Sequence, residues 1–209
     1  MLQGLLFCFL LSTSLTFDKD VSGKKTEVSW LVHEKEEGIE ISGKSEEKKT
    51  EILCSPTFAI LSYLSENLRD SEKFSVKREG NTLIAEHDHK GKKKQSTFDL
   101  GDKNWVQDFS FGLKPFMMSS LDTYYFEIVN PKDMVMRTMI ATKEEIDMRK
   151  FNNVEYRARR IKVTLEGFYK KFWKAELWFD TKTHNLLYYK ANEGPSTPYT
   201  ILTIKELKK

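Results

Sequence analysis

Across residues 154–208, apolar and polar side chains alternate almost without interruption, through EYRARRIKVTLEGF, KKFWKAELWFDTKTHNLLYYKANEG and TPYTILTIKEL. A period of two sustained over that length is the signature of β-strands. The alternation breaks at residues 180–185 and 194–198, where Asp, Thr, Asn, Gly and Pro supply turn chemistry, so the segment reads as an antiparallel meander. In residues 171–179, Trp173, Ala175, Leu177 and Phe179 share one face. Phe172 and Trp178 share the other with Lys174 and Glu176. Such a strand fits a curved sheet with its core on the concave side and some apolar cover on the convex side.

The rest of the chain carries the same pattern in shorter pieces. Residues 26–33 and 38–42 read as a hairpin joined by the charged turn EKEE, and residues 73–78, 82–87 and 95–100 as three further strands. Residues 49–64 are apolar around Pro56 and are open to either a strand or a helical reading, because Leu61, Leu64 and Leu68 also fit helical spacing. Residues 123–129 and 135–142 resume strands across the turn Asn130-Pro131-Lys132-Asp133, and residues 143–153 read as a loop with at most a turn of helix. Between the two halves, Trp105, Val106, Phe109, Leu113, Phe116 and Met117 approximate a period of 3.6. They predict one helix over residues 105–120, kinked at Pro115. The expected fold is mainly β: about nine to eleven antiparallel strands in a curved sheet or half-barrel, covered by that helix. Trp105, Phe109 and Phe116 from the helix, with Trp173 and Leu177 from the sheet, are the expected lining of the concave face. Met and aromatic residues in one short segment suit an adaptable apolar pocket or the plug of a core.

A chain of 209 residues is expected to form one domain with enough core to fold without staples. Charged residues are 31% and the net charge is +3, distributed in mixed-sign runs such as KSEEKKTE. That pattern excludes the one-sided basic face of a nucleic-acid binder. The apolar run LLFCFLL followed by Ser12, Thr13 and Ser14 reads as a candidate signal peptide, residues 1–14, ahead of a domain at 15–209. The run is too short to span a membrane. Cleavage there would leave Cys54 as the single cysteine, so no disulfide is expected within the mature chain.

Three motifs bear on chemistry. Residues 38–45, GIEISGKS, match the phosphate-loop pattern letter for letter, but Ile39-Glu40-Ile41-Ser42 alternates as a strand and EEKKTE beyond it has no apolar helical face. The match reads as chance, with Lys44 in a solvated turn. His87-Asp88-His89 sets two imidazoles on one face of a strand, a spacing that could hold zinc or copper given a third ligand. Arg157, Arg159, Arg160 and Lys162 form a basic cluster that reads as a solvated strand face or a docking point. No G-x-S-x-G or Cys–His arrangement marks a nucleophile. No catalytic residue, metal site or cofactor is expected.

TFDLGDKNWVQDFSF, LKPFMMSS, YYFEIVNPKDM and KAELWFDTKTHNLLYYKANEGPSTPYTILTIKEL resemble bacterial envelope families of the domain-of-unknown-function 3108 type, which share the hairpin seen at residues 178–189. These are similar in plan to the LolA family of periplasmic lipoprotein carriers. The resemblance implies a half-barrel with a helical lid over an apolar concave face, located in the periplasm or secreted. The expected function is non-enzymatic binding of an apolar ligand or lipid-linked partner in the half-barrel cavity. Two alternatives stand beside it: a structural or assembly factor docking another envelope protein, and a metal-dependent hydrolase using His87, Asp88 and His89.

Overall fold

The computed structural model describes residues 11–167, 173–192 and 197–208. The chain order is β1 (Leu11–Val21), β2 (Lys24–Lys35), β3 (Gly38–Lys44), β4 (Lys48–Cys54), β5 (Ile60–Asn67), β6 (Glu72–Glu79), β7 (Thr82–His89) and β8 (Lys92–Asp99). Then follow β9 (Asn104–Trp105), α1 (Phe109–Gly112), α2 (Lys114–Met118), β10 (Thr123–Asn130), β11 (Val135–Phe151), β12 (Val154–Leu165), β13 (Lys174–Asp180), β14 (Leu186–Asn192) and β15 (Tyr199–Lys208). All fifteen strands form one sheet, in the order β8-β7-β6-β5-β4-β3-β2-β1-β15-β14-β13-β12-β11-β10-β9.

Two relations in that order dictate the shape. Every strand except β9 pairs antiparallel with its chain neighbour, and the first and last strands meet at the centre, Phe17 opposite Ile204. The two edges, β8 and β9, are consecutive in sequence and joined only by residues 100–103. Laid flat at about 4.8 Å per strand, such edges would lie about 67 Å apart. A four-residue link spans at most about 18 Å. The sheet therefore curls so that β8 and β9 approach each other at the end the link joins, leaving a half-barrel whose two edges are not paired. Buried Leu100 anchors the link, its amide donating to Asn81 O at 2.7 Å.

Turn chemistry sets the register. Ser22-Gly23, Lys90-Gly91 and Asn152-Asn153 are two-residue loops with both residues at positive φ, the geometry that matches the twist of a hairpin. Asp20 and Asp88 steady the first two by accepting the amides of Gly23 and Gly91 at 2.8 and 2.9 Å.

The inner face carries the core. Alternate residues such as Ile39 and Ile41, Phe74 and Val76, and Leu177 and Phe179 are buried there. The expected helix over 105–120 is shorter and broken. Trp105 belongs to β9, Asp108 caps α1 by accepting the Phe111 amide, and Pro115 opens α2 in its first turn, where its missing N–H costs nothing. The apolar residues that mimic a 3.6 period are buried from an irregular path instead, with Phe109 half-buried. Gly112 lets α1 settle on β5, since a Cβ there would lie 2.8 Å from Ile60 Cδ1 and from Val106 Cγ1.

One open reading is settled, and the loop expected at residues 143–153 is corrected. Residues 49–64 resolve into β4, a turn and β5, and residues 143–151 continue β11 across a bulge between Lys143 and Ile146. Among the described residues the strand count is accordingly fifteen. Beyond that bulge the β11–β12 hairpin arches over the outer face of the sheet. Arg149 lies 4.6 Å from the Trp178 ring centre, Phe151 stacks on Tyr188 at 6.0 Å, and Asn152 donates to Ile204 O at 2.7 Å. Through Arg149 and Phe151 this arm covers part of the convex face, where Trp178 is only 4% exposed. Phe172 and residues 194–196 of the expected second break lie outside the described residues. Leu11 to Ser14 form the start of β1, and the buried residues of that strand, Leu15 and Phe17, follow them.

Candidate functional site

α1 and α2 lie along the inner face and carry an aromatic ladder from the core to one rim. Phe116, fully buried, stacks on Tyr124 at 5.2 Å, and Tyr124 on Phe126 at 5.8 Å. Phe126 meets Phe109 edge-on at 6.0 Å, and Phe109 in turn contacts Trp173 at 6.3 Å and Tyr189 at 6.5 Å. Leu177 is fully buried beneath, paired in register with Tyr189. The buried end is dry enough that desolvation pushes the Tyr124 phenol up to about 12. At the rim, Phe109 and Trp173 are only half-buried, and the Trp173 indole is fixed by donating to Asn192 O at 2.6 Å.

Four of the five expected lining residues therefore meet on the inner face. Trp105 is the exception. It is buried, but it stands in register with Glu127, one step out of phase with Phe126. Among the described residues its ring joins no aromatic pair.

The rim is hollow. A cavity of about 250 Å³ lies between Phe109, Ile128, Tyr189, Leu202 and Tyr63. A second, of about 160 Å³, opens beside it against Trp30 and Val28. Lys48, Tyr63, Asp108 and Leu202 line both. Lys48 donates to the Tyr63 hydroxyl at 3.3 Å. Burial pushes the Asp108 carboxyl up, opposed by the Phe111 amide it accepts and by the charge of Lys48. Deeper in, Phe111, Leu113 and Phe116 fill the concave side to 1% exposure or less. The arrangement is a plugged half-barrel with an aromatic, partly open mouth.

A larger hollow of about 810 Å³ lies on the outer face of β2 to β8. Its charges are largely spent on one another and on adjacent strands: Lys35 on Glu40 at 2.6 Å, Lys77 on Glu79 at 2.7 Å and Lys73 on Glu66 at 3.0 Å.

Lys114 was not visible in the sequence as a special residue. It is 7% exposed on α2, donates to Asn185 Oδ1 at 2.7 Å, and lies 4.4 Å from the Phe58 ring centre. Desolvation holds its amine down at about 8, against the charge of Glu34. The only sequence signal was its place inside the apolar run LKPFMM.

The remaining motifs have structural duties. Lys44 ends strand β3, between Ser29 and Lys49, and no helix follows it, so GIEISGKS is not a phosphate loop and Lys44 is not a turn residue. His87 bonds Glu72 at 2.8 Å and packs on Phe74, while Asp88 closes the turn at Gly91. No group of three or more His, Cys, Asp or Glu is placed to hold a metal among the described residues, so the His87-Asp88-His89 hydrolase reading has no third ligand there. In the basic cluster, Arg160 is tied to Glu144, Glu145 and Glu176. No helix among the described residues is long and apolar enough to cross a membrane.

The fold and mouth define a curved, antiparallel β half-barrel protein. No family model and no curated protein matches the chain, so the resemblance to the domain-of-unknown-function 3108 type has no family match behind it. Solved structures similar to it include an outer membrane lipoprotein-sorting protein domain, by its description, from Vibrio parahaemolyticus. That domain is 10% identical with a TM-score of 0.26, over 94% of this chain and 84% of that one. A LolA superfamily protein from Nitrosomonas europaea is 9% identical with a TM-score of 0.25, over 94% and 84%. At TM-scores this low the likeness carries no conclusion, and the fold rests on the chain's own strand pairing.

Proposed function

We propose that the protein is an exported, non-enzymatic component of the cell envelope that takes an apolar chain, free or borne by a lipid-linked partner, at the mouth of the half-barrel. The observation that carries this reading is the ladder from Phe116 to Phe109, which ends half-exposed beside two cavities. Ligand pockets span about 300–1,000 Å³, so the mouth suits the leading part of an apolar chain and not a whole large lipid. Further insertion requires α1 to swing aside, because the interior is filled. Such a swing would unseat Phe111 and Gly112, which α1 buries, so the mouth and not the interior is the site the fold offers. For export, the support is the apolar run ahead of Ser14 together with the burial of Leu15 and Phe17, so that cleavage after Ser14 spares the buried part of β1.

Native mass spectrometry of the protein purified from its own cells, together with uptake of a fluorescent fatty acyl probe, tests the reading. Bound lipid or saturable uptake is expected. A folded protein that shows neither would end the carrier reading. A docking role is favoured by one separate observation: Ile146, Met148 and Val154 are 39%, 53% and 52% exposed on the outer arm. Capture of one envelope partner, lost on Met148→Ser, would support it.

A further inference from the structure

One side of the mouth is apolar and the other is basic. The cavity of about 160 Å³ has Trp30, Val28 and Leu202 on its walls, and Lys19, Lys44 and Lys48 at its lip. The three lysines come from β1, β3 and β4, strands that the sheet order places within four positions of one another. Neighbouring cations are already engaged: Lys24 pairs with Glu47 at 3.4 Å, and Arg69 with the same carboxylate at 2.7 Å. Lys19, Lys44 and Lys48 make no ion pair among the described residues: Lys48 donates to the neutral Tyr63 hydroxyl, and the charges of Lys48 and Lys19 act on Asp108 and Glu47 without direct contact. The one carboxylate on the cavity wall, Asp108, is already occupied by the Phe111 amide as the cap of α1. Three like charges gathered at the edge of an apolar hollow repel one another, and an anion placed among them relieves that repulsion.

Resting on the carrier reading above, we propose that the ligand is an anionic amphiphile with an acyl chain. Its tail enters along Phe109 and Leu202, and its negative headgroup is held by Lys19, Lys44 and Lys48. The shared chemistry is a carboxylate or phosphate joined to a long chain, and a free fatty acid or a lysophospholipid could supply it. Neutral chains of equal length gain the apolar contacts but not the ionic ones.

The test titrates the full chain with palmitate, with 1-palmitoyl lysophosphatidic acid and with neutral hexadecanol, at low and high salt. The anionic probes should bind more tightly than hexadecanol, and their advantage should shrink as salt screens the lysines. In the triple variant K19A/K44A/K48A, the ratio of palmitate to hexadecanol affinity should fall about tenfold, a change of about 1.4 kcal/mol. The variant with arginine at all three positions should keep the ratio. Circular dichroism checks that each variant is folded. Whichever anionic probe binds more tightly identifies the source. Equal affinity for palmitate and hexadecanol, or a ratio untouched in the triple alanine variant, would overturn the headgroup assignment while leaving the carrier reading standing. A folded protein that binds none of the three probes would overturn both.

Discussion

Gly43 lies flat against the Trp30 indole: a Cβ built on Gly43 would sit 2.4 Å from Trp30 Cζ3. Phe111 also packs on Trp30, edge-on at 5.1 Å, and restrains its movement. The glycine that completes a phosphate-loop pattern is there to admit a tryptophan. Gly43→Ala should destabilise the protein by about 1–3 kcal/mol through overpacking, read from urea unfolding. Lys44→Ala, one residue on and exposed, should leave the unfolding midpoint unchanged. Equal midpoints for both variants would contradict this packing argument.

Phe109 and Phe111 are two residues apart on α1 and should answer differently to the same change. Phe111 is 1% exposed, and Phe111→Asp would bury an unpaired carboxylate at a cost of several kcal/mol, so loss of the folded signal in circular dichroism is expected. Phe109→Asp, at the half-open rim, should stay folded and lose acyl uptake. A folded Phe109→Asp variant with full uptake would remove the mouth from the mechanism.

Lys114 and Cys54 impose opposite pH dependences. Burial holds the Lys114 amine at about 8 against an ordinary 10.5. The unfolded chain therefore binds more protons between about 8 and 10.5, and stability from this group rises with pH across that window. Burial pushes the Cys54 thiol up to about 12 from 9.0, so the unfolded chain loses that proton first, and stability falls as pH rises above about 9. Melting temperatures of Cys54→Ala should accordingly climb from pH 8 to 10, while those of Lys114→Met should decline above pH 9. Parallel profiles for both variants and the unmodified protein would refute the assignment.

Arg149→Ala should loosen the outer arm, since Arg149 covers the Trp178 ring from that arm. A cation–π contact of this kind contributes about 0.5–2 kcal/mol. Hydrogen exchange should accelerate in residues 146–154 and stay unchanged in β3 and β4. Uniform acceleration across the sheet would mean that the arm is part of the global fold and not an added flap.

Export predicts a mature N-terminus at Leu15. Sequencing of the native protein from the envelope fraction checks this, and an intact Met1 in the cytosol would exclude it.

The sheet was legible where one face is buried and the other is wet. Ile39, Glu40, Ile41 and Ser42, or Ala175, Glu176 and Leu177, announce both strand and face by alternation. Legibility failed where strand geometry is not written as one-sided burial. KEEIDMRK in β11 is almost wholly polar because that stretch forms the arm, exposed along much of its length. Leu11 to Ser14, assigned by sequence to the leader, open β1 in the structure, because the strand begins within the apolar run. The site was half legible. Aromatic spacing picked out Phe109 and Phe116, but Trp105 obeyed the same spacing from a strand, and the lip lysines are scattered over three strands that only the folded register brings together.

Because β1 sits at the centre of the sheet, one side of it stays empty until β15 (Tyr199–Lys208) exists. A ribosome that stops before β15 releases a chain with a raw strand edge between its two halves, the kind of template that recruits other strands. Incomplete copies should be handled in the cell as sticky intermediates and not as slightly shortened proteins.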